Sequence, residues 1–259
     1  MNNLPASTGW DWLKQGIGLF RKQPAALTTL LFANILISIA LSAIPVLGPV
    51  LAVVLVPSFS MAFMQACLMI ENGDRVTPAV LLTGFRQPAL PGLLKVGLIY
   101  FGVGILLMIV TNIVGIPELM ERIAKATDPK NPPDVAPSDM LALFGILLLN
   151  VAIMVTLCFA APLTYWKRMG PGKATFYSFF AVVRTARVFL VMLAAWFAIF
   201  MAVMMAAVLV FGNASVGRVV VMWLMFLFVL LLQCGMYAGY RTIFGKPVGP
   251  EPGVASKAL

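Results

Sequence analysis

The chain has 259 residues, of which 61% are hydrophobic and only 10% are charged, and its mean hydropathy is +1.00. Soluble domains carry about 25% charged residues, so this composition excludes a water-soluble globule of this size. It indicates an integral membrane protein, because lipid tails solvate leucine and valine as well as a protein core does. We therefore expect the formal net charge of +9 to act at the membrane surface, and we expect no nucleic-acid partner.

Six apolar runs are long enough to cross a hydrocarbon core of about 30 Å, which takes roughly 20 helical residues. No Asp, Glu or Arg lies within these runs, and Lys95 is their only lysine. The sequence predicts an all-α bundle of six transmembrane helices in three hairpins, as a single domain over residues 1–241 with a short flexible tail at 242–259. The runs cover about residues 25–44, 50–70, 93–116, 140–165, 188–211 and 219–240.

The basic residues predict the orientation of these six spans. One side holds both termini and the loops at 71–92 and 166–187, and with Lys95 and Arg241 it carries 14 of the 18 basic residues. Cytoplasmic loops are enriched in Lys and Arg. We therefore expect a multi-pass protein of the bacterial inner membrane with both termini in the cytoplasm. The proline-rich segment 117–139 is predicted to be an irregular solvated loop on the outer side.

Similar segments precede the odd-numbered spans. The string 20–24 reads Phe-Arg-Lys-Gln-Pro, the string 85–88 repeats it with one residue deleted, and 183–187 is a degenerate copy. We interpret them as three copies of one unit, in which a short cytoplasmic interfacial helix leads into each hairpin. Convergence is the alternative, because basic and aromatic residues recur at many membrane interfaces.

The three copies predict short helices at residues 9–22, 76–87 and 174–186, packed around a pseudo-threefold axis. In the first copy Leu13, Ile17 and Phe20 form one apolar stripe at helical spacing. Trp10 and Trp12 suit the headgroup level.

No enzyme motif is present in the sequence: it contains no histidine, no Walker A string and no G-x-S-x-G string. We expect no enzyme activity, no cofactor and no metal. Cys67, Cys158 and Cys234 recur at a similar depth on the even-numbered spans, so they either converge as a thiolate site or act as small hydrophobic side chains. The Gly-x-x-x-Gly string at 235–239 suggests a close helix contact.

Three asparagines inside the predicted spans are candidate intramembrane polar sites: Asn34, Asn112 and Asn150. One interpretation is a polar patch lining a substrate path. The other is interhelical hydrogen bonding, worth on the order of 1 kcal/mol per bond.

A basic rim on the cytoplasmic side is the candidate site for anionic lipid headgroups. Juxtamembrane basic residues gain about 1 kcal/mol each from an anionic leaflet, and arginine can hold a phosphate with two parallel hydrogen bonds. The alternative is a topology signal with no dedicated ligand. The rim comprises Arg21, Lys22, Arg86, Lys167, Arg168, Lys173, Arg184 and Arg187.

The Gly9-Trp10-x-Trp12 string, the junction at 20–24 and the Glu71-Asn72-Gly73 string resemble a family of uncharacterised six-span inner-membrane proteins of proteobacteria. That family is distantly similar to YciC-like proteins and to the membrane domain of glycerophosphodiester phosphodiesterases. The resemblance implies an all-helical fold in the bacterial inner membrane, and it supplies no catalytic residue.

Three classes of function remain open at this point. A lipid-interacting or scaffolding membrane protein agrees best with the basic rim. A small-solute permease or channel is the alternative, and a membrane enzyme is the least favoured. A water-accessible path past the asparagines would favour the permease, and a bundle centre filled by Leu and Met would favour the first class.

Overall fold

The computed structural model describes residues 4–45, 47–125, 136–212 and 215–247. Within these ranges the chain has no strand, and six helical segments are long and apolar enough to cross a membrane. The predicted polytopic all-α bundle is confirmed. The spans are α2 (Pro24–Ser42), α3 (Leu47–Asn72), α4 (Ala89–Ile113), α6 (Pro137–Leu157) continued by α7 (Ala160–Trp166), α9 (Ala186–Phe211) and α10 (Ser215–Phe244).

Three short helices lead into the hairpins, as the repeat predicts. They are α1 (Thr8–Lys22), a 3-10 helix (Pro78–Phe85) and α8 (Pro171–Arg184). We call them the rim helices, and we call the end of the bundle where they lie the basic end. Pro24 is the first residue of α2, where the missing N–H costs little because the first turn has no acceptor for it.

Each rim helix packs against the hairpin of the preceding repeat. Helix α1 contacts α9 and α10, the 3-10 helix contacts α2 and α3, and α8 contacts α4, α6 and α7. The three repeats therefore interlock in a closed ring, which is the order that a pseudo-threefold bundle requires.

The buried core lies at the basic end. Leu27, Met64, Leu93, Phe159 and Tyr240 are all buried there. Toward the opposite end the helices expose large apolar side chains, and Ile113 and Leu209 are each 80% exposed. A surface of this kind is stable in a bilayer, because lipid tails solvate it without cost.

The buried face of α1 differs from the predicted stripe. Gly9, Trp12, Gly16 and Leu19 are buried together with Leu13, whereas Ile17 is 38% exposed. Ile17 of the predicted stripe is therefore not part of the face that packs on α9 and α10. Gly9 and Gly16 belong to the packed face, because residues without a side chain let α1 approach its neighbours closely.

Trp12 is buried between the helices and does not face lipid or water. Its indole ring is fully buried and its Nε1–H donates a hydrogen bond to Oγ1 of Thr242 at 3.1 Å. Trp10 on the other side of α1 is 41% exposed, and its position at the headgroup level stays a prediction.

The predicted loop at 117–139 is partly helical. Helix α5 (Ile116–Lys125) begins with buried Ile116 and also buries Leu119, and α6 begins at Pro137. Residues 126–135 of the predicted loop lie outside the described residues. The prediction of an irregular loop is wrong for α5, because Pro117 falls in its first turn, where proline is tolerated.

The fourth span is interrupted at Cys158 and Phe159, between α6 and α7. The backbone N–H of Phe159 donates to Oγ of Ser178 at 3.1 Å, and that hydroxyl donates to the carbonyl of Thr156 at 2.6 Å. A backbone group without a partner is costly inside a membrane. Ser178 on α8 therefore satisfies the break and attaches this rim helix to the fourth span.

Candidate functional site

A cluster of polar side chains joins α1, α3 and α10 at the basic end. The Tyr237 hydroxyl donates to Oε2 of Glu71 at 2.5 Å, and Arg241 Nη1 forms an ion pair with Oε1 of the same carboxylate. Arg241 Nη2 donates to Oε1 of Gln15 at 2.6 Å. The Glu71 side chain is only 16% exposed, so these partners are what makes its charge tolerable at this depth.

A cavity of about 280 Å³ opens beside this cluster. Gln15, Lys22, Glu71, Tyr237 and Arg241 supply its polar lining. With two basic side chains and one carboxylate, the lining carries a formal charge of +1. A small anionic group is therefore the chemically matched occupant.

Close packing of α1 on α10 brings the cluster together. A Cβ atom at Gly16 would lie 2.7 Å from the backbone nitrogen of Gly235, and a Cβ atom at Gly239 would lie 3.1 Å from the Trp12 ring. The predicted close helix contact at 235–239 is confirmed. Because these glycines allow the approach, Gln15 on α1 reaches Arg241 on α10.

An apolar groove of about 300 Å³ lies between α2 and α10. Phe32 and Trp223 both line it, and their rings are in contact with their centroids 5.0 Å apart. The remaining lining residues are almost all aliphatic or aromatic: Thr28, Leu31, Val220, Leu224, Phe226, Leu227 and Leu230.

The eight residues of the predicted basic rim are all exposed at the basic end. Within the described ranges none of them forms a salt bridge with an acidic side chain. Lys167 lies over the Phe244 ring and Lys173 over the Tyr177 ring, at 5.5 and 5.8 Å from the ring centroids. The eight are Arg21, Lys22, Arg86, Lys167, Arg168, Lys173, Arg184 and Arg187.

The three intramembrane asparagines differ in their environments. The side-chain amides of Asn112 and Asn150 donate to the carbonyls of Met108 and Ile146, four residues earlier in the same helix. The interhelical hydrogen bonds considered for these two residues are therefore wrong. Oδ1 of Asn34 is buried without a hydrogen-bond partner among the described residues. None of the three lines the polar cavity or the apolar groove, so the polar patch stays a prediction.

Two of the three cysteines meet in the core. The sulfur atoms of Cys67 and Cys234 are 3.6 Å apart, and both residues are buried. Cys158 lies at the break in the fourth span and is partly exposed. Among the described residues, no group of three or more His, Cys, Asp or Glu side chains could hold a metal ion.

Sequence patterns did not predict this polar cluster: Glu71 counts there only as part of the Glu71-Asn72-Gly73 string, and Arg241 only as one of the basic residues that indicate the orientation. A signal was present: Glu71 ends the second span and Arg241 ends the sixth. Because even-numbered spans finish on the same side of the membrane, the two opposite charges are predicted to lie on one side. Their pairing across α3 and α10 required the packing of the helices.

The chain is similar to a protein of Burkholderia thailandensis that is named Probable inner membrane protein. The two are 31% identical, and the alignment covers 96% of this chain and 94% of the relative. No family model matches the chain, and no solved structure matches it. The distant resemblance to YciC-like proteins and to the phosphodiesterase membrane domain stays a prediction.

Proposed function

Since the chain belongs to the same family as this inner membrane protein of Burkholderia thailandensis, we propose that it is a lipid-interacting protein of the bacterial inner membrane. In this proposal the basic end faces the cytoplasm and binds anionic phospholipid headgroups. No catalytic step and no cofactor are part of the proposed function.

The orientation is supported by the asymmetry of charge between the two ends. In the predicted topology the side that holds both termini carries 14 of the 18 Lys and Arg residues, and cytoplasmic segments of membrane proteins carry the basic excess. Six crossings return the chain to the side on which it starts. Both termini therefore belong with the basic end, on the cytoplasmic side.

Fusions to alkaline phosphatase test this orientation, because the enzyme is active only outside the cytoplasm. We expect activity for a fusion after residue 128 and none for fusions after residue 74 or at the C-terminus. The measurement is enzyme activity per amount of fusion protein in intact cells. Activity at residue 74 without activity at residue 128 would reverse the proposed orientation.

The observation that carries the lipid proposal is the recurrence of arginine at the end of each rim helix. Arg21 lies in the last turn of α1, Arg86 follows the 3-10 helix directly, and Arg184 is the last residue of α8. All three are exposed and have no acidic partner among the described residues. A topology signal needs only enough charge on one side, whereas binding to phosphates requires charges at one level.

Exposed aromatic side chains accompany these arginines on α8. Phe176 and Phe180 are 61% and 53% exposed, with their ring centroids 4.4 Å apart, and Tyr177 and Phe179 are exposed beside them. Aromatic residues are enriched at the membrane–water boundary. They support a depth for this rim helix at which arginine side chains reach lipid phosphates.

The filling of the bundle also supports the lipid-interacting class. Leu30, Met61, Met64, Leu68 and Leu163 are buried at the basic end. A Leu- and Met-filled core at this end supports a lipid-interacting or scaffolding protein over a permease.

Replacing Arg21, Arg86 and Arg184 together by glutamine tests the lipid proposal. The expected result is weaker retention of cardiolipin and phosphatidylglycerol on the purified protein, because each basic residue contributes about 1 kcal/mol of attraction to anionic lipid. Native mass spectrometry measures the retained lipid. By the predicted topology eleven basic residues would remain on the side of the termini, enough to maintain the orientation.

A matched control removes three other basic residues from the same end: Lys14→Gln, Arg75→Gln and Lys246→Gln. The loss of charge is identical, but none of these three residues lies at the end of a rim helix. Retention should fall clearly more in the first triple variant than in the control. Equal retention in both variants would mean that the repeated arginines have no special role in lipid binding.

A further inference from the structure

We propose that the polar cavity between α1, α3 and α10 binds one phosphodiester group, which is held by Gln15, Lys22 and Arg241. A phospholipid headgroup and a soluble phosphate ester both offer this group. The inference deepens the proposed function, on which it rests, by assigning one discrete site apart from the repeated arginines of the rim helices.

Arg241 has hydrogen-bond donors to spare in this cavity. Its Nη1 pairs with Glu71, and its Nη2 donates to Gln15 at 2.6 Å. A guanidinium group has five N–H donors, two of them on each terminal nitrogen. Each terminal nitrogen of Arg241 therefore keeps a second N–H, and these lie in the fork that suits two oxygens of one phosphate.

Gln15 and Lys22 add donors from α1. The Gln15 side-chain oxygen accepts from Arg241, and its amide nitrogen donates to no other described residue. Lys22 lines the same cavity and is exposed, with no salt bridge to a described acidic residue. The two residues are seven positions apart, which places them on one face of α1. The cavity is thus lined by donors from two helices.

The charge of the lining matches a phosphodiester. Lys22, Arg241 and Glu71 together carry a formal charge of +1, and a phosphodiester carries a single negative charge. The Glu71 carboxylate accepts from the Tyr237 hydroxyl and from Arg241, so it is a positioning residue for the guanidinium group. It would repel a second negative charge in the same cavity. A phosphodiester is therefore favoured over a phosphomonoester.

The cavity has room for such a group. Its volume is about 280 Å³, which corresponds to roughly nine water molecules at about 30 Å³ each. A phosphodiester with its flanking carbon atoms is no larger than this. Small residues leave the space open: Gly18 and Ala238 are part of the lining, and no atom lies within 4 Å of the position that a Cβ of Gly18 would occupy.

The cavity lies where the spans end. Lys22 is the last residue of α1, just before α2 begins at Pro24. Glu71 and Arg241 lie in the last turns of α3 and α10. Basic residues at this level gain from the phosphates of an anionic leaflet. A phospholipid headgroup therefore reaches the same depth as the donors.

Gln15→Glu is the sharpest test of this site. Glutamate has the size of glutamine and keeps an acceptor for Arg241, so the contact between α1 and α10 remains. The change removes the amide donors and lowers the charge of the lining from +1 to 0. Binding of one phosphatidylglycerol molecule, measured by native mass spectrometry, should weaken about tenfold or more, because hydrogen bonds to charged groups are worth about 1.5–3 kcal/mol. The matched control is Gln87→Glu, an exposed glutamine beside the 3-10 helix, which should bind as wild type does.

Lys22→Gln is a second variant, at an exposed residue whose loss does not disturb the core. It should weaken the same molecule roughly fivefold, the equivalent of about 1 kcal/mol from one basic residue. Lys22→Arg should restore the binding. The control is Lys14→Gln on the same helix, which lies outside the cavity lining and should leave the binding unchanged.

A soluble ligand distinguishes the two sources of the phosphodiester. Glycerophosphoglycerol is the headgroup of phosphatidylglycerol without its acyl chains, and titration calorimetry on the purified protein measures its binding. If the two variants weaken only phosphatidylglycerol, the source is a lipid headgroup. If they weaken only glycerophosphoglycerol, the source is a soluble ester. If they weaken both, the cavity recognises the phosphodiester whether or not chains are attached.

The site would be overturned if Gln15→Glu and Lys22→Gln bound both ligands as tightly as their controls, or if wild-type protein bound neither ligand. The triple variant of Arg21, Arg86 and Arg184 keeps every residue of the cavity lining. It should lower the number of retained lipids while one phosphatidylglycerol stays tightly bound. Gln15→Glu should release that one molecule and leave the others, so the two proposals can fail separately.

Discussion

Gly16→Ala is expected to destabilise the protein, because the added methyl group has no room between α1 and α10. Its Cβ atom would lie 2.7 Å from the backbone nitrogen of Gly235 and 3.0 Å from the carbonyl carbon of Cys234. These are backbone atoms, which cannot rotate away as a side chain can. Overpacking of this kind costs about 1–3 kcal/mol, and in a protein of this size it should lower the thermal unfolding midpoint by roughly 3–10 °C.

Gly18→Ala is the matched control, on the same helix two residues later. No atom lies within 4 Å of the position that its Cβ would occupy. Alanine is favoured over glycine in a helix by about 1 kcal/mol, so this variant should be as stable as wild type or more stable. Both midpoints are measured on purified protein in one detergent. If the two variants behaved alike, the packing of α1 on α10 would be contradicted.

Among charged residues, we expect substitutions of Glu71 and Arg241 to lower the stability most. Their side chains are 16% and 34% exposed. Glu71→Ala should lower stability by roughly 1–3 kcal/mol, because Arg241 and Tyr237 lose their partner. Arg241→Ala should do the same by leaving the carboxylate with only the tyrosine hydroxyl. The double variant should be less destabilised than the sum of the two, since residues in contact couple by about 0.5–3 kcal/mol.

The exposed ion pair between Asp11 and Lys14 provides the control cycle. Its atoms are 3.7 Å apart and its side chains are 56% and 59% exposed. Exposed pairs contribute about 0–1 kcal/mol, so Asp11→Ala, Lys14→Ala and their double variant should have nearly the same unfolding midpoint as wild type. A coupling energy for Glu71 and Arg241 no larger than that of this exposed pair would mean that the polar cluster does not hold α3 to α10.

The positions of the six spans were predictable from the sequence because one physical length controls them. About 20 apolar residues match the thickness of the hydrocarbon core, and charges are excluded from that depth. The repeated strings likewise predicted the rim helices, because each string lies where a short segment meets the start of a span. These features depend on neighbours in the sequence and on the lipid, and not on how the helices pack.

Helix α5 is an element that the sequence pattern did not predict. The density of prolines in 117–139 is typical of a loop, but Pro117 falls in the first turn of a helix that buries Ile116 and Leu119. A proline in the first turn and a proline in a loop are equivalent in a composition count. Their positions relative to the apolar residues distinguish them.

Only the tertiary structure decided which face of α1 is buried and which polar groups meet. In lipid, apolar surface does not select one helix partner over another, so close approach at small residues and polar contacts determine the arrangement. Gly16 packs on Gly235, and this contact brings Gln15, Glu71, Tyr237 and Arg241 together from three helices that are far apart in the sequence. The sequence alone determined that these residues lie at one end of the bundle, and the shape of the packed helices determined that they form one cluster.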